Sequence, residues 1–263
     1  MQLTFSKYQG AGNDFIIIDD RDKQFPVSAK LINKLCDRHF GIGADGLMLL
    51  SNAPEGDFLM RYFNSDGNES TMCGNGGRCI AHFARKLGII ETSTIFMGID
   101  GEHHAELTDK DYVKLKMKDV DEIETIDDNY FIDTGSPHYV SFVRDVDAID
   151  VSREGKLIRQ SVNISKGGTN VNFVQVLEKD TLRIRTFERG VEAETLACGT
   201  GAVASSIAYT LYFEVDRTRI RLLAPGGELF VSYQKESDMF KEIWLEGPAK
   251  HVFDGTFDTD SVM

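Results

Sequence analysis

Short apolar runs separated by polar turns recur along this chain, and most are too brief to be helices. In the first half they occupy residues 3–8, 15–19, 47–51, 58–64 and 112–118, the last alternating apolar and charged side chains. Such runs predict strands of a mostly antiparallel sheet. Strands are expected again at residues 139–144, 171–177, 182–187, 220–223, 229–233 and 243–246, with turns at Pro225-Gly226-Gly227 and Gly247-Pro248. Helical spacing interrupts this pattern four times. Ser28 can cap a helix reaching about residue 39, with Leu31, Ile32 and Leu35 inward and Lys30, Lys34 and Arg38 outward. A helix after Cys73 carries Ile80, Phe83, Ala84 and Leu87 at helical spacing and stops at Gly88, a residue suited to a left-handed cap. Its charges, Arg78, Arg85 and Lys86, are expected on a partly exposed face. A short helix is expected over residues 153–160, and one after Cys198 runs from Ala202 to Tyr212 without a charge, so it should be buried nearly all round. The acidic residues 119–128 have little to pack and read as a solvated crossover between domains.

The two longer helices start alike. Glu69-Ser70-Thr71-Met72-Cys73-Gly74-Asn75-Gly76 returns 125 positions later as Glu194-Thr195-Leu196-Ala197-Cys198-Gly199-Thr200-Gly201. A thiol at a helix N-terminus feels the positive end of the dipole, which lowers its pKa and favours the thiolate. Free cysteines usually serve as small core hydrophobes, but packing does not need the same neighbours twice. Two such thiols can act as a matched base and acid. One removes a proton from a substrate carbon as thiolate, the other returns a proton to the opposite face as thiol, and the centre inverts. Their titrations would be coupled. The carbanion formed on the way needs stabilisation, which backbone N–H groups around Gly74, Asn75 and Gly76 and around Gly199, Thr200 and Gly201 can give while binding an α-carboxylate. Glu69 and Glu194 precede the thiols and could tune them, but backbone or capping contacts are the favoured expectation, and Cys36 and Cys79 are expected to be core. His138 is expected to be packed or orienting, since two cysteines already complete the proton relay.

Composition narrows the ligand. Lys and Arg total 29 against 42 Asp and Glu, a balance of −13 that disfavours nucleic acid and anionic membrane and fits a small-molecule substrate. No apolar stretch approaches the roughly 20 residues of a membrane helix, and the start lacks a secretory pattern, so a cytoplasmic location is expected. There the four cysteines would stay reduced, and they lack the paired spacing of a zinc site, so no metal is expected. Gly10-Ala11-Gly12-Asn13-Asp14-Phe15 is not a dinucleotide fingerprint, because Phe15 takes the third glycine position and a strand pattern follows.

That segment, with Gly41-Ile42-Gly43-Ala44-Asp45-Gly46, Phe63-Asn64-Ser65-Asp66-Gly67, Met72-Cys73-Gly74-Asn75-Gly76-Gly77-Arg78-Cys79, Asn170-Val171-Asn172-Phe173, Glu188-Arg189-Gly190 and Ala197-Cys198-Gly199-Thr200-Gly201, resembles the diaminopimelate epimerase family across essentially the full length. The resemblance implies an α+β (mixed α/β) fold of two pseudo-symmetric domains, each a curled, mostly antiparallel sheet around a central helix. The domains would be residues 1–117 with roughly 250–263, and residues 118–249. It implies epimerisation of LL-2,6-diaminopimelate to meso-diaminopimelate in lysine and peptidoglycan synthesis, without a cofactor. By resemblance Cys73 and Cys198 are base and acid, and Asn13, Asn64, Asn170, Glu188 and Arg189 hold substrate, joined by Gly74, Asn75, Ser136, Gly199 and Thr200. The residue types suit these roles: guanidinium grips carboxylate, carboxylate pairs with ammonium, and amides do both kinds of hydrogen bonding. A homodimer is left open.

Three departures from the family pattern stand out. Ser136, in Gly135-Ser136-Pro137-His138, replaces an asparagine common in the family; the segment from Gly190 to Thr195 is one residue longer than usual; and Gly77 stands where a larger residue is common. Two rival readings remain at this point. A proline racemase or hydroxyproline epimerase would share the thiol chemistry, but its small cyclic substrate would leave Asn64, Asn170, Glu188 and Arg189 unmatched. A noncatalytic amino-acid-binding protein would have no need of two activated thiols.

Overall fold

The computed structural model describes residues 1–109, 111–162, 164–215 and 218–259. The chain forms two compact units, Met1–Leu115 with Gly247–Met263, and Lys116–Glu246. The first contains β1 (Gln2–Gly10), β2 (Asn13–Asp19), α1 (Ala29–Cys36), β3 (Gly46–Ser51), β4 (Phe58–Asn64), β5 (Glu69–Ser70), α2 (Gly74–Lys86), β6 (Ser93–Gly98), β7 (Gly101–Asp109) and β8 (Tyr112–Lys116). Pairing is antiparallel for β1–β2, β3–β4, β4–β5, β6–β7 and β7–β8 and parallel for β2–β3 and β4–β6. Mostly antiparallel sheet is therefore borne out.

The second unit repeats this order. It runs through β9 (Ile123–Ile126), β10 (Asn129–Asp133), β11 (Pro137–Phe142), α3 (Val151–Arg159), β12 (Asn170–Glu178), β13 (Thr181–Glu188), β14 (Ala193–Thr195), α4 (Gly199–Tyr212), β15 (Arg219–Ala224), β16 (Gly227–Glu236) and β17 (Met239–Pro248). Here β10–β11, β12–β13, β13–β14, β15–β16 and β16–β17 are antiparallel, while β11–β12 and β13–β15 are parallel. β9 lies antiparallel beside β10 just as β18 (Lys250–Asp258) lies beside β1. Register sets the equivalences. Phe15 pairs with Gly46 as His138 pairs with Asn170, and Phe63 pairs with Glu69 as Phe187 pairs with Glu194. Counting from these pairs, Asn13 answers to Ser136, Asn64 to Glu188, and Cys73 to Cys198.

Each sheet packs on one long helix. α2 buries Cys79, Ile80, Ala81, Phe83 and Ala84 and packs against β1, β2, β3, β7 and β18. Gly88 ends it with φ +73°, where the Gly88 N–H donates to Arg85 O and the Ile89 N–H to Ala84 O. α4 is buried from Gly201 through Thr210 and packs against β10, β11, β12, β13 and β16. Two of its interior hydroxyls are satisfied locally, Ser205 donating to Gly201 O at 2.7 Å and Ser206 to Ala202 O at 2.9 Å. In the second unit Tyr139, Val146, Val151, Val171, Phe173 and Phe187 form a further core cluster.

Several expectations are corrected. α1 stops at Cys36, short of residue 39, because Asp37 turns extended and its Oδ1 accepts the N–H groups of His39 and Phe40. Arg78 is not on an exposed face but completely buried. Gly247-Pro248 is not a turn: both residues close β17, where proline at a strand end forfeits no needed donor. The acidic crossover is not bare linker, since β9 forms inside it, and the strand beginning at Tyr112 ends at Lys116. β7 and β18 escaped the apolar-run reading because their sequences, GEHHAELTD and KHVFDGTFD, are rich in charge.

Candidate active site

Cys73 and Cys198 are the N-cap residues of α2 and α4. Both have extended backbones, with φ −91° and ψ 131° at Cys73 and φ −116° and ψ 115° at Cys198, and neither side chain caps its own helix. The Gly77 N–H bonds to Cys73 O and the Ala202 N–H to Cys198 O, so the N–H groups of the three residues between each pair lie ahead of the intrahelical ladder. Both cysteines are half-buried. Cys36 and Cys79 are buried, as expected of core residues, and desolvation pushes both thiols up to about 12.

In the first unit the two glycine-containing segments meet around Asn13. Asp45 accepts from Asn13 Nδ2 at 2.6 Å, and Arg38 bridges Asp14 and Asp45 at 2.7 and 2.6 Å. Lys7, itself buried, reaches Asp14 at 2.7 Å and also Gly43 O. Burial alone would raise the Asp14 pKa, but hydrogen bonds from Arg38 and Lys7 outweigh it and hold the carboxyl down at about 2. Asn13 Oδ1 then faces Cys73 Sγ at 3.6 Å and Asn75 Nδ2 at 3.4 Å. Behind Asn75 stands Arg78, whose N–H groups reach Asn75 Oδ1 at 2.8 Å, Gly74 O at 3.2 Å and Pro248 O at 3.4 Å. Asn64 closes β4 on the exposed side, its backbone paired with Asn68 and Gly67.

In the second unit Ser136, Asn170, Thr200 and Cys198 are brought together. Thr200 Oγ1 lies 3.4 Å from Cys198 Sγ and 3.3 Å from Ser136 Oγ, and Asn170 Nδ2 reaches Ser136 Oγ at 3.2 Å. His138 is completely buried, 3.0 Å from Ser136 Oγ through Nε2 and 3.1 Å from Asn172 Nδ2 through Nδ1. Desolvation, aided by the charge of Arg189, pushes its pKa down to about 3, so it is neutral. The Arg189 N–H donates to Asn170 Oδ1 at 2.8 Å, while its guanidinium rests on Gly167 O and Gly168 O. Glu188 accepts from Thr195 Oγ1 at 2.9 Å; burial raises its pKa and that hydrogen bond offsets part of the rise.

Glu69 and Glu194 do not make the backbone or capping contacts expected of them. Arg61 grips Glu69 with bonds of 2.8 and 2.9 Å, and Arg185 grips Glu194 with two of 2.7 Å. Each arginine stands two residues before the phenylalanine that faces the glutamate across the sheet, so the pair pins the short strand leading to the cysteine. The repeated Arg-x-Phe, Arg61 to Phe63 and Arg185 to Phe187, was the available signal. Asp45, Arg78 and Asn172 were also missed as site residues; Asn172, two residues beyond Asn170, carried a strand-spacing cue. Gly77 leaves room that neighbours occupy, for a Cβ there would come within 2.9 Å of Met72 Sδ and 3.2 Å of Leu115. Among the described residues no group of three or more His, Cys, Asp or Glu is placed to hold a metal ion, and no helix is long and apolar enough to cross a membrane.

Comparison with known proteins places this duplicated arrangement. A phenazine biosynthesis protein of the PhzF family from Bacillus anthracis has a similar fold, with a TM-score of 0.80 at 14% identity, covering 98% of this chain and 99% of that one. A probable proline racemase from Agrobacterium radiobacter matches with a TM-score of 0.67 at 16% identity, over 97% and 93% of the two chains. At such identities the likeness is one of fold alone. The sequence is closer to diaminopimelate epimerases: that of Flavobacterium psychrophilum is 51% identical over 95% of this chain and 98% of its own length, and that of Chlorobaculum tepidum 43% identical over 94% and 98%. The family model described as diaminopimelate epimerase matches residues 5–121 and 130–252, and with a cysteine at the N-cap position of each long helix in a repeated frame, the chain belongs to the diaminopimelate epimerase family.

Proposed function

We propose that this protein interconverts LL- and meso-diaminopimelate, with Cys73 and Cys198 as the proton-transferring pair and no cofactor. The observation that carries this reading is the pair of N-cap cysteines at register-equivalent positions in a chain of this family. One thiolate takes the α-proton, the other thiol supplies a proton to the opposite face, and the two protonation states exchange for the return reaction. The negative charge that develops between these steps passes into the α-carboxylate, where N–H groups at the starts of α2 and α4 meet it. Asn13, Asn64, Asn75, Ser136, Asn170, Glu188 and Arg189 are assigned to substrate. A carboxylate at Glu188 suits the distal ammonium and a guanidinium at Arg189 the distal carboxylate, a second zwitterionic end that a small cyclic amino acid lacks.

The test is solvent deuterium incorporation at the α-carbon of LL-diaminopimelate. Cys73→Ser and Cys198→Ser should each lower epimerisation by about 10²–10⁴-fold, the range for loss of one acid–base group, while diaminopimelate binding stays measurable. Undiminished turnover in either variant defeats the mechanism. Turnover of proline with none of diaminopimelate defeats the substrate assignment.

A further inference from the structure

The two thiols occupy equivalent positions, yet their hydrogen bonds run in opposite directions. Each direction is set by a group that can only accept or only donate. In the first unit the Asp45 carboxylate holds Asn13 Nδ2, which turns Asn13 Oδ1 toward Cys73. Arg78 holds Asn75 Oδ1, turning Asn75 Nδ2 onto the same oxygen. Cys73 thus meets an acceptor, and this contact is made by its S–H.

In the second unit the Tyr139 carbonyl accepts from Asn172 Nδ2 at 3.2 Å, which orients that amide. The same amino group faces His138 Nδ1, so Nδ1 accepts and the neutral ring carries its proton on Nε2. Nε2–H donates to Ser136 Oγ. Asn170, oriented by the Pro137 carbonyl at 3.1 Å and by the Arg189 N–H, gives Ser136 Oγ a second donor. With both lone pairs engaged, the Ser136 proton points to Thr200 Oγ1, and the Thr200 proton to Cys198 Sγ.

We infer that Ser136 and Thr200 form a one-way hydroxyl chain that donates to the Cys198 sulfur, making Cys198 the thiolate of the resting protein and Cys73 the thiol. Thr200 touches the sulfur; Ser136 and His138 are positioning residues behind it. This deepens, and rests on, the two-thiol reading. The nearby charges do not reverse it. Glu69 and Glu194 are each matched by an arginine, Glu188 is bound to Thr195, and the Arg189 guanidinium lies on backbone carbonyls. Arg78 acts in the contrary sense, since its charge is felt by Cys73, but its N–H groups are directed at Gly74, Asn75 and Pro248 oxygens and burial disfavours its charged form. For Cys198 to be the thiolate, the direct hydrogen bond from Thr200 must outweigh that field, and the alkylation profile reads this directly.

The experiment is the pH dependence of iodoacetamide alkylation of the full chain without substrate, read for each cysteine by peptide mass spectrometry. Cys198 is followed in Cys73→Ser and Cys73 in Cys198→Ser, which removes their mutual coupling; the buried Cys36 and Cys79 report on folding by staying unmodified. Cys198 should show the lower apparent pKa. Thr200→Val should raise it by about one unit, Ser136→Ala should raise it independently, Thr200→Ser should retain it, and Cys73 should not respond. A more acidic Cys73, or a Cys198 unmoved in both Thr200→Val and Ser136→Ala, overturns the inference. If Thr200→Val fails to fold, Ser136→Ala carries the test. Because no diaminopimelate is present, failure here is distinct from failure of the proposed activity, which the deuterium experiment reads.

Discussion

Arg78 sits in a helix beside Arg85 and Lys86, and ordinary preference places all three outside. Its guanidinium is instead completely buried, because three oxygens, one each from Asn75, Gly74 and Pro248, stand where its N–H groups point. Replacing it with an apolar side chain would strand those acceptors, so Arg78→Met should lower unfolding free energy by on the order of 3 kcal/mol. Urea denaturation measures it, and a loss under about 0.5 kcal/mol, the size expected of a surface site, would show that the guanidinium is not structural. At this scale the sequence marked the cysteines and the paired glutamates, since both recur with their neighbours. It did not mark Arg78, whose acceptor at Pro248 lies 170 positions away.

α2 and α4 begin with the same cysteine-glycine step and then diverge, α2 keeping an exposed edge at Arg85 and Lys86 and α4 losing charge altogether. Those differences were legible, because helical periodicity and charge placement are local properties of the chain. What periodicity did not disclose is how tightly the start of α4 fits the sheet. A Cβ on Gly201 would fall 2.4 Å from Asn172 Oδ1, the oxygen that also accepts from Thr186 Oγ1. Gly201→Ala should therefore cost about 1–3 kcal/mol of stability, as overpacking does, and lower epimerase activity by displacing the amide that orients His138. Thermal melts and turnover with diaminopimelate check both parts; unchanged values in both would mean that Asn172 moves aside freely. Strands with apolar alternation were found by the same local logic, whereas β7 and β18, charged along their length, become strands through their pairing with β6 and β1.

Over the whole molecule the two units should respond differently to acid. His138 has its folded pKa depressed to about 3, below an unfolded value of roughly 6.5, so its contribution is complete above that value and is lost progressively as pH falls toward about 3. Glu188, raised by burial, works in the opposite sense but only in the carboxylate range. In the first unit the depressed groups include Asp14, at about 2, and Asp254 and Glu69, both held down chiefly by hydrogen bonds from Lys86 and Arg61 respectively. Their contribution is present above the ordinary carboxylate pKa of about 4 and is lost below it. Hydrogen exchange should thus show residues 116–246 losing protection between about pH 6 and 4, before residues 1–115; the reverse order would exclude His138 as the acid-sensitive element. The chain by itself determined the repeat, the position of a thiol at the head of each long helix, and the mixed, mostly stranded class, because periodicity, helix starts and turns depend on residues within a few positions of one another. Only tertiary structure decided the burial of Arg78, the Arg61–Glu69 and Arg185–Glu194 pairs, and which way the protons point at Cys198. Ser136 and Thr200 are 64 positions apart, and a hydroxyl's direction is set by whichever donors the fold brings to its other side.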